Sequence, residues 1–88
     1  MKNKQILGAL AMDLKRAALG YFRGSNLMAE RFFEEALKRK NEIDIDELKP
    51  YLINYLNKIE NVKKEDNGKA AEDALMYSTL FQNAASII

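Results

Sequence analysis

The densest group of side chains able to do chemistry is acidic: Glu42, Asp44, Asp46 and Glu47 fall within six residues. Carboxylates so placed can hold a hard cation such as Mg²⁺ or Ca²⁺ in a loop. An EF-hand loop also needs glycine at its sixth position and a bidentate glutamate at its twelfth, and this stretch has neither. Acidic side chains ahead of a helix are favoured by its dipole in any case, so the cluster reads as helix capping. Glu30 and Glu34 could begin a helical carboxylate site, but the di-metal form of such a site uses Glu-x-x-His pairs and the chain contains no histidine. Without cysteine or histidine, disulfides, thiolate nucleophiles, Cys/His zinc sites and histidine relays are all excluded. No catalytic, cofactor-binding or metal-ligating residue is assigned, and the chain reads as non-enzymatic.

The basic side chains offer a second chemistry, the binding of phosphate. Lys15, Arg16, Arg23, Lys38, Arg39 and Lys40 belong to a first segment, residues 1–40, with nine basic and four acidic groups. Residues 41–62 carry two and five, and residues 63–88 three and four, so a net charge of +1 hides a basic half facing an acidic one. This polarity can orient antiparallel helices or dimer partners. It also supports an alternative reading, a small nucleic-acid-binding regulator that uses the basic half. Against that alternative, no stripe combines these cations with Asn, Gln or Arg side chains aligned to read base edges. Glu34 with Lys38 and Glu35 with Arg39 are also i, i+4 pairs, and the Lys38–Lys40 run sits where cations favour a helix C-terminus.

These groups must be carried on helices. Apolar residues recur at spacings of three and four, β-branched residues are few, and breaks fall at Gly24-Ser25-Asn26, at 41–46 with Pro50, and at 65–68. Four helices follow, at about 4–22, 26–40, 46–62 and 69–86, with Pro50 either within the first turn of the third or marking its true start one turn later. The first places Leu7, Leu10, Leu14, Ala17, Ala18 and Tyr21 on one stripe, and the second gathers Ala29, Phe32, Phe33 and Ala36, with Leu37 at the margin. In the third, Leu48, Leu52, Tyr55, Ile59 and Val62 form a 4-3-4-3 seam with Leu56 beside it. Ala70, Ala74, Tyr77, Phe81, Ala84 and Ile88 share a face of the fourth. The predicted fold is an all-α, small four-helix antiparallel bundle, a single domain over 1–88, whose first two helices form a hairpin turning at Gly24. A seam running through Ser25 keeps one long helix over 4–40 as the alternative.

Two short resemblances bear on the hairpin. Gly24-Ser25-Asn26-Leu27, with Ile43 further on, resembles the site in acyl carrier proteins where a serine opening a helix carries a phosphopantetheine arm. Here glycine replaces the usual aspartate and the surrounding half is basic, so capping is the favoured role of Ser25 and an enzyme or carrier ranks third among the functions. Gly24, Ala29, Phe33, Ala36 and Leu37 resemble the second helix of a tetratricopeptide repeat, which implies a hairpin packed closely through alanines.

More apolar surface is present than four amphipathic helices need. Met12, Leu19 and Phe22 form an extra stripe on the first helix, and Met76, Leu80 and Ile87 widen the fourth. The fourth carries no charge after Asp73, but its uncharged run is only fifteen residues and includes Ser78, Gln82 and Asn83, so no membrane span is predicted. These six residues are the candidate interface of a helical interaction or adaptor protein. A homodimer is the first expectation and a partner's helix the second. No signal-peptide pattern is legible at the start of the sequence, and the expected location is the cytoplasm.

Overall fold

The computed structural model describes residues 2–87. Its four helices are α1 (Lys2–Arg23), α2 (Asn26–Glu42), α3 (Pro50–Lys58) and α4 (Asn67–Ile87), with 3₁₀ segments at Ile45–Glu47 and Ile59–Lys64. The fold is the all-α antiparallel bundle expected from the periodicity. Helix α1 is central, with α2 along one side and α4 along the other, while α3 and Ile59–Lys64 lie across α2 and α4. Every α1 stripe residue named above is buried, as are Ala29, Phe33 and Ala36 of α2 and Ala70, Ala74, Tyr77, Phe81 and Ala84 of α4. Ile88, expected on the same α4 face, lies outside the described residues.

The hairpin forms because Gly24 takes a positive φ of 74° that L side chains rarely adopt. The amide of Ser25 then donates to the Gly20 carbonyl at 2.8 Å and that of Gly24 to Tyr21 at 3.2 Å, which closes α1 with a Schellman motif. Ser25 Oγ accepts from the Met28 amide at 3.4 Å and opens α2. The single-helix alternative over 4–40 is therefore replaced by a turn, and Ser25 serves as a cap. In the last turn of α1, three residues before its end, Gly20 meets Ala29 so closely that a Cβ built on it would stand 2.5 Å from the Ala29 nitrogen. Only a hydrogen at that position lets the two helices cross at this distance.

Of the two starts the sequence leaves open for the third helix, the structure takes the later, at Pro50, and the helix does not run on to Val62. Pro50 pushes the preceding residues out of helical geometry: Leu48 and Lys49 are extended, and Pro50 becomes the first residue of α3. After Lys58 the chain tightens into 3₁₀ geometry. At three residues per turn, Ile59 and Val62 fall on one side and both enter the core. The buried set becomes Leu48, Leu52, Leu56, Ile59 and Val62, while Tyr55 moves to the margin, where its ring meets Tyr77 edge-on at 6.2 Å.

Two polar contacts fix the register. Asn3, 2% exposed, donates to the Asp44 carbonyl at 2.9 Å and accepts from the Asp44 amide at 3.0 Å, clamping the α2–α3 connection to the start of α1. Ser78 Oγ donates to the Ala11 carbonyl at 2.8 Å inside the α1–α4 contact. Neither polar residue stands out from its apolar neighbours' periodicity. Each pairs its buried side-chain polar atoms with backbone groups, which is the condition for burial at low cost.

Candidate interaction face

Burial of one side of α1 and α4 leaves their outer sides as neighbours on the surface. Met12, Lys15, Leu19 and Phe22 follow a 3-4-3 spacing along α1, and Gly68, Glu72, Leu75 and Thr79 a 4-3-4 spacing along α4. Between them runs a groove of about 320 Å³, lined by Lys15, Ala18, Leu19, Phe22, Gly68, Ala71, Glu72 and Leu75. On the other side of α4 a shallower groove of about 720 Å³ is lined by Tyr51, Glu72, Leu75, Met76, Thr79, Leu80, Asn83, Ala84 and Ile87. Glu72 and Leu75 border both, so the two grooves form one surface straddling α4.

Five of the six expected interface residues are exposed, from 41% at Leu19 to 83% at Phe22, with Met12, Met76 and Ile87 between. Leu80 is half-buried and packs against the core as it lines the second groove. The structure thus brings Leu19 and Phe22 into one groove, Met76, Leu80 and Ile87 into the other, and leaves Met12 on the α1 stripe beyond both. Two residues went unnoticed in the sequence. Leu75 is half-exposed at the ridge between the grooves, and Tyr51 projects from α3. Leu75 sits three residues after Glu72 and four before Thr79, a spacing that could have marked it.

The basic residues have different fates. Arg16 lies 3.7 Å from Asp13 and stacks 5.6 Å over the Phe32 ring. Arg39 lies 3.6 Å from Asp13 and 3.5 Å from Glu42, Lys38 is 3.4 Å from Glu35, and Lys40 is 2.9 Å from Glu60. Four of the six candidate phosphate contacts are engaged by carboxylates of the chain itself, and Lys15 borders the apolar groove. The Lys40 hydrogen bond holds the Glu60 carboxyl below its ordinary range.

Asp13 is the buried charge that the sequence did not flag. It sits between Arg16, one turn along α1, and Arg39 of α2. Burial raises its pKa, Arg39 and then Arg16 oppose the rise, and Glu35 adds to it. Neither Asp13 Oδ2 nor Arg39 Nε makes a hydrogen bond, so the pair is an electrostatic tie between helices.

The acidic cluster is likewise structural in its contacts. Asp44 Oδ1 accepts from the Asp46 amide at 3.1 Å and Glu42 meets Arg39. Among the described residues, no group of three Asp or Glu side chains is arranged to hold a metal ion. A cleft of about 620 Å³ at the hairpin end is lined by Tyr21, Glu30, Arg31, Glu34, Lys63 and Glu65, among others. Burial raises the Tyr21 hydroxyl pKa there, and the hydrogen bond from Lys63 to Glu34 raises that of Lys63. Lys63 also lies 5.8 Å over the Phe33 ring, so this cation of the cleft is committed to closing the bundle.

Among the described residues, no helix is long and apolar enough to cross a membrane. No known protein family, curated protein sequence or solved structure matches this chain.

Proposed function

We propose that the chain is a non-enzymatic helical interaction protein that works by docking protein helices on the outer α1–α4 face. One observation carries this reading: Leu19, Phe22, Leu75, Met76 and Ile87 lie exposed along two adjoining grooves rather than scattered singly. Apolar groups so grouped gain roughly 25 cal/mol per Å² when they are covered, and amphipathic helices are the elements that fill such grooves. The nucleic-acid alternative has less support, since most of its cations are already held by carboxylates. The test is site-specific photo-crosslinking. A photoreactive residue replacing Leu75 is expected to give discrete protein adducts, with itself or with another protein, while one replacing Asn57 on the outer side of α3 gives none. Equal adducts from the two sites, or none from Leu75, would overturn the reading.

A further inference from the structure

We infer that the occupant of the α1–α4 groove is a second copy of this chain, related by a two-fold axis along the groove, so that each α1 packs on the partner's α4. This inference rests on the docking reading above and adds the identity and orientation of the partner.

Charge selects the arrangement. The narrow groove is apolar except for one cation on its α1 wall, Lys15, and one anion on its α4 wall, Glu72. Among the described residues neither makes an ion pair within the chain, whereas most charges near them on α1 and α2 do. The Ser78–Ala11 hydrogen bond sets the level of the antiparallel helices. Lys15 lies four residues after Ala11 and Glu72 six before Ser78, so they are within two residues, or about 3 Å along the helix axis, of the same height.

A two-fold interface uses the same patch twice, and whatever one copy offers must match what it receives. With the axis along the groove, Lys15 of each copy stands over Glu72 of the other, and the apolar positions Leu19, Phe22 and Leu75 close between them. With the axis across the groove at the height of these residues, α1 would lie on α1 and the two Lys15 ammonium groups would approach each other. Of the two, the first sets each cation over an anion. It completes a four-helix layer of two α1 and two α4 helices with the 3-4 spacing that such packing uses. A standard interface needs roughly 800 Å² per partner, about one seventh of the 5486 Å² surface of the chain, and the two adjoining grooves run along most of α4.

Sedimentation of wild type, Lys15→Glu, Glu72→Lys, the double variant and an equal mixture of the two single variants tests this arrangement. Both positions are exposed, and circular dichroism checks that each variant folds. Wild type is expected at twice the chain mass. Each single variant turns two reciprocal attractions into repulsions and should dimerise roughly ten- to thirtyfold more weakly at low salt. The double variant should recover, and the mixture should form heterodimers tighter than either single variant alone. A folded wild-type monomer, single variants that dimerise like wild type, or a mixture without recovery would overturn the inference. If wild type is monomeric while crosslinks from position 75 reach a different protein, the docking reading stands and self-pairing falls.

Discussion

Replacing Gly20 and Gly8 of α1 by alanine makes the same chemical change in one helix with opposite expected signs. A Cβ at Gly20 would lie 2.5 Å from the Ala29 nitrogen, 2.8 Å from its Cα and 3.0 Å from its Cβ. Comfortable carbon contacts are ~3.5–4 Å, so α2 must retreat by on the order of 1 Å. The opposing atoms are mostly backbone and cannot rotate away. Overpacking of this kind costs ~1–3 kcal/mol, against a helix-propensity gain of ~1 kcal/mol for Gly to Ala. The upper part of the range applies, and the net loss is about 1–2 kcal/mol. At Gly8 the added Cβ meets nothing within 4 Å, so only the propensity gain of ~0.5–1 kcal/mol remains. Urea and thermal unfolding followed by far-ultraviolet circular dichroism should therefore separate the two variants by roughly 10–20 °C in Tm, at ~4–8 °C per kcal/mol for a domain of this size. An unchanged urea slope would show that the surface exposed on unfolding is the same in all three proteins, so that the midpoint shifts report stability. Shifts of the same sign, or a Gly20→Ala variant at least as stable as wild type, would refute the close crossing of α1 and α2.

Asn3→Ala removes both bonds to the Asp44 peptide and should cost about 1–2 kcal/mol, with faster hydrogen exchange at the Asp44 amide; unchanged exchange would show that the clamp is not formed. The Asp13 carboxyl titrates above its ordinary 3.8 in the fold, so the folded chain holds that proton more tightly than the unfolded chain. The associated stability is complete below the unfolded value and is lost as pH rises through the folded one. Asp13→Asn abolishes this slope, and its stability relative to wild type should climb as pH rises from below 3.8 through the raised folded value; a flat or falling difference in urea titrations would contradict the burial of Asp13. Phe22→Ser, at a side chain 83% exposed, should leave the monomer's stability within ~0.5 kcal/mol while weakening any association, which sedimentation and unfolding read separately.

The number of helices and most of their inner faces were readable from residue types alone, whereas Phe32 and Tyr55, expected inside, are only partly buried. A 3.6-residue period fixes the angle at which Leu7, Leu10, Leu14 and Tyr21 leave α1, and Gly24 with Ser25 encodes its own turn through local hydrogen bonds. The six surplus apolar residues were readable for the same reason. Their fates were not, because angular position on a helix does not say which sector receives a neighbour. Leu80 is half-covered by the core while Leu75, five residues earlier, forms the ridge between two grooves.

Residues 2–87 thus divide by the range of the forces involved. Periodicity, caps and the Pro50 break act within a few residues, and from them the sequence by itself determined an antiparallel helical bundle with more apolar stripe than it needs. Burial of Asn3 and Asp13, the Gly20–Ala29 crossing and the choice of carboxylate partners for Arg39 and Lys40 join residues far apart in the chain. Only the packed structure decided them, because each depends on which helix surfaces meet and at what distance. The shared height of Lys15 and Glu72 on opposite walls of the groove belongs to this second kind: two charges 57 positions apart acquire it only when α1 and α4 are locked in register.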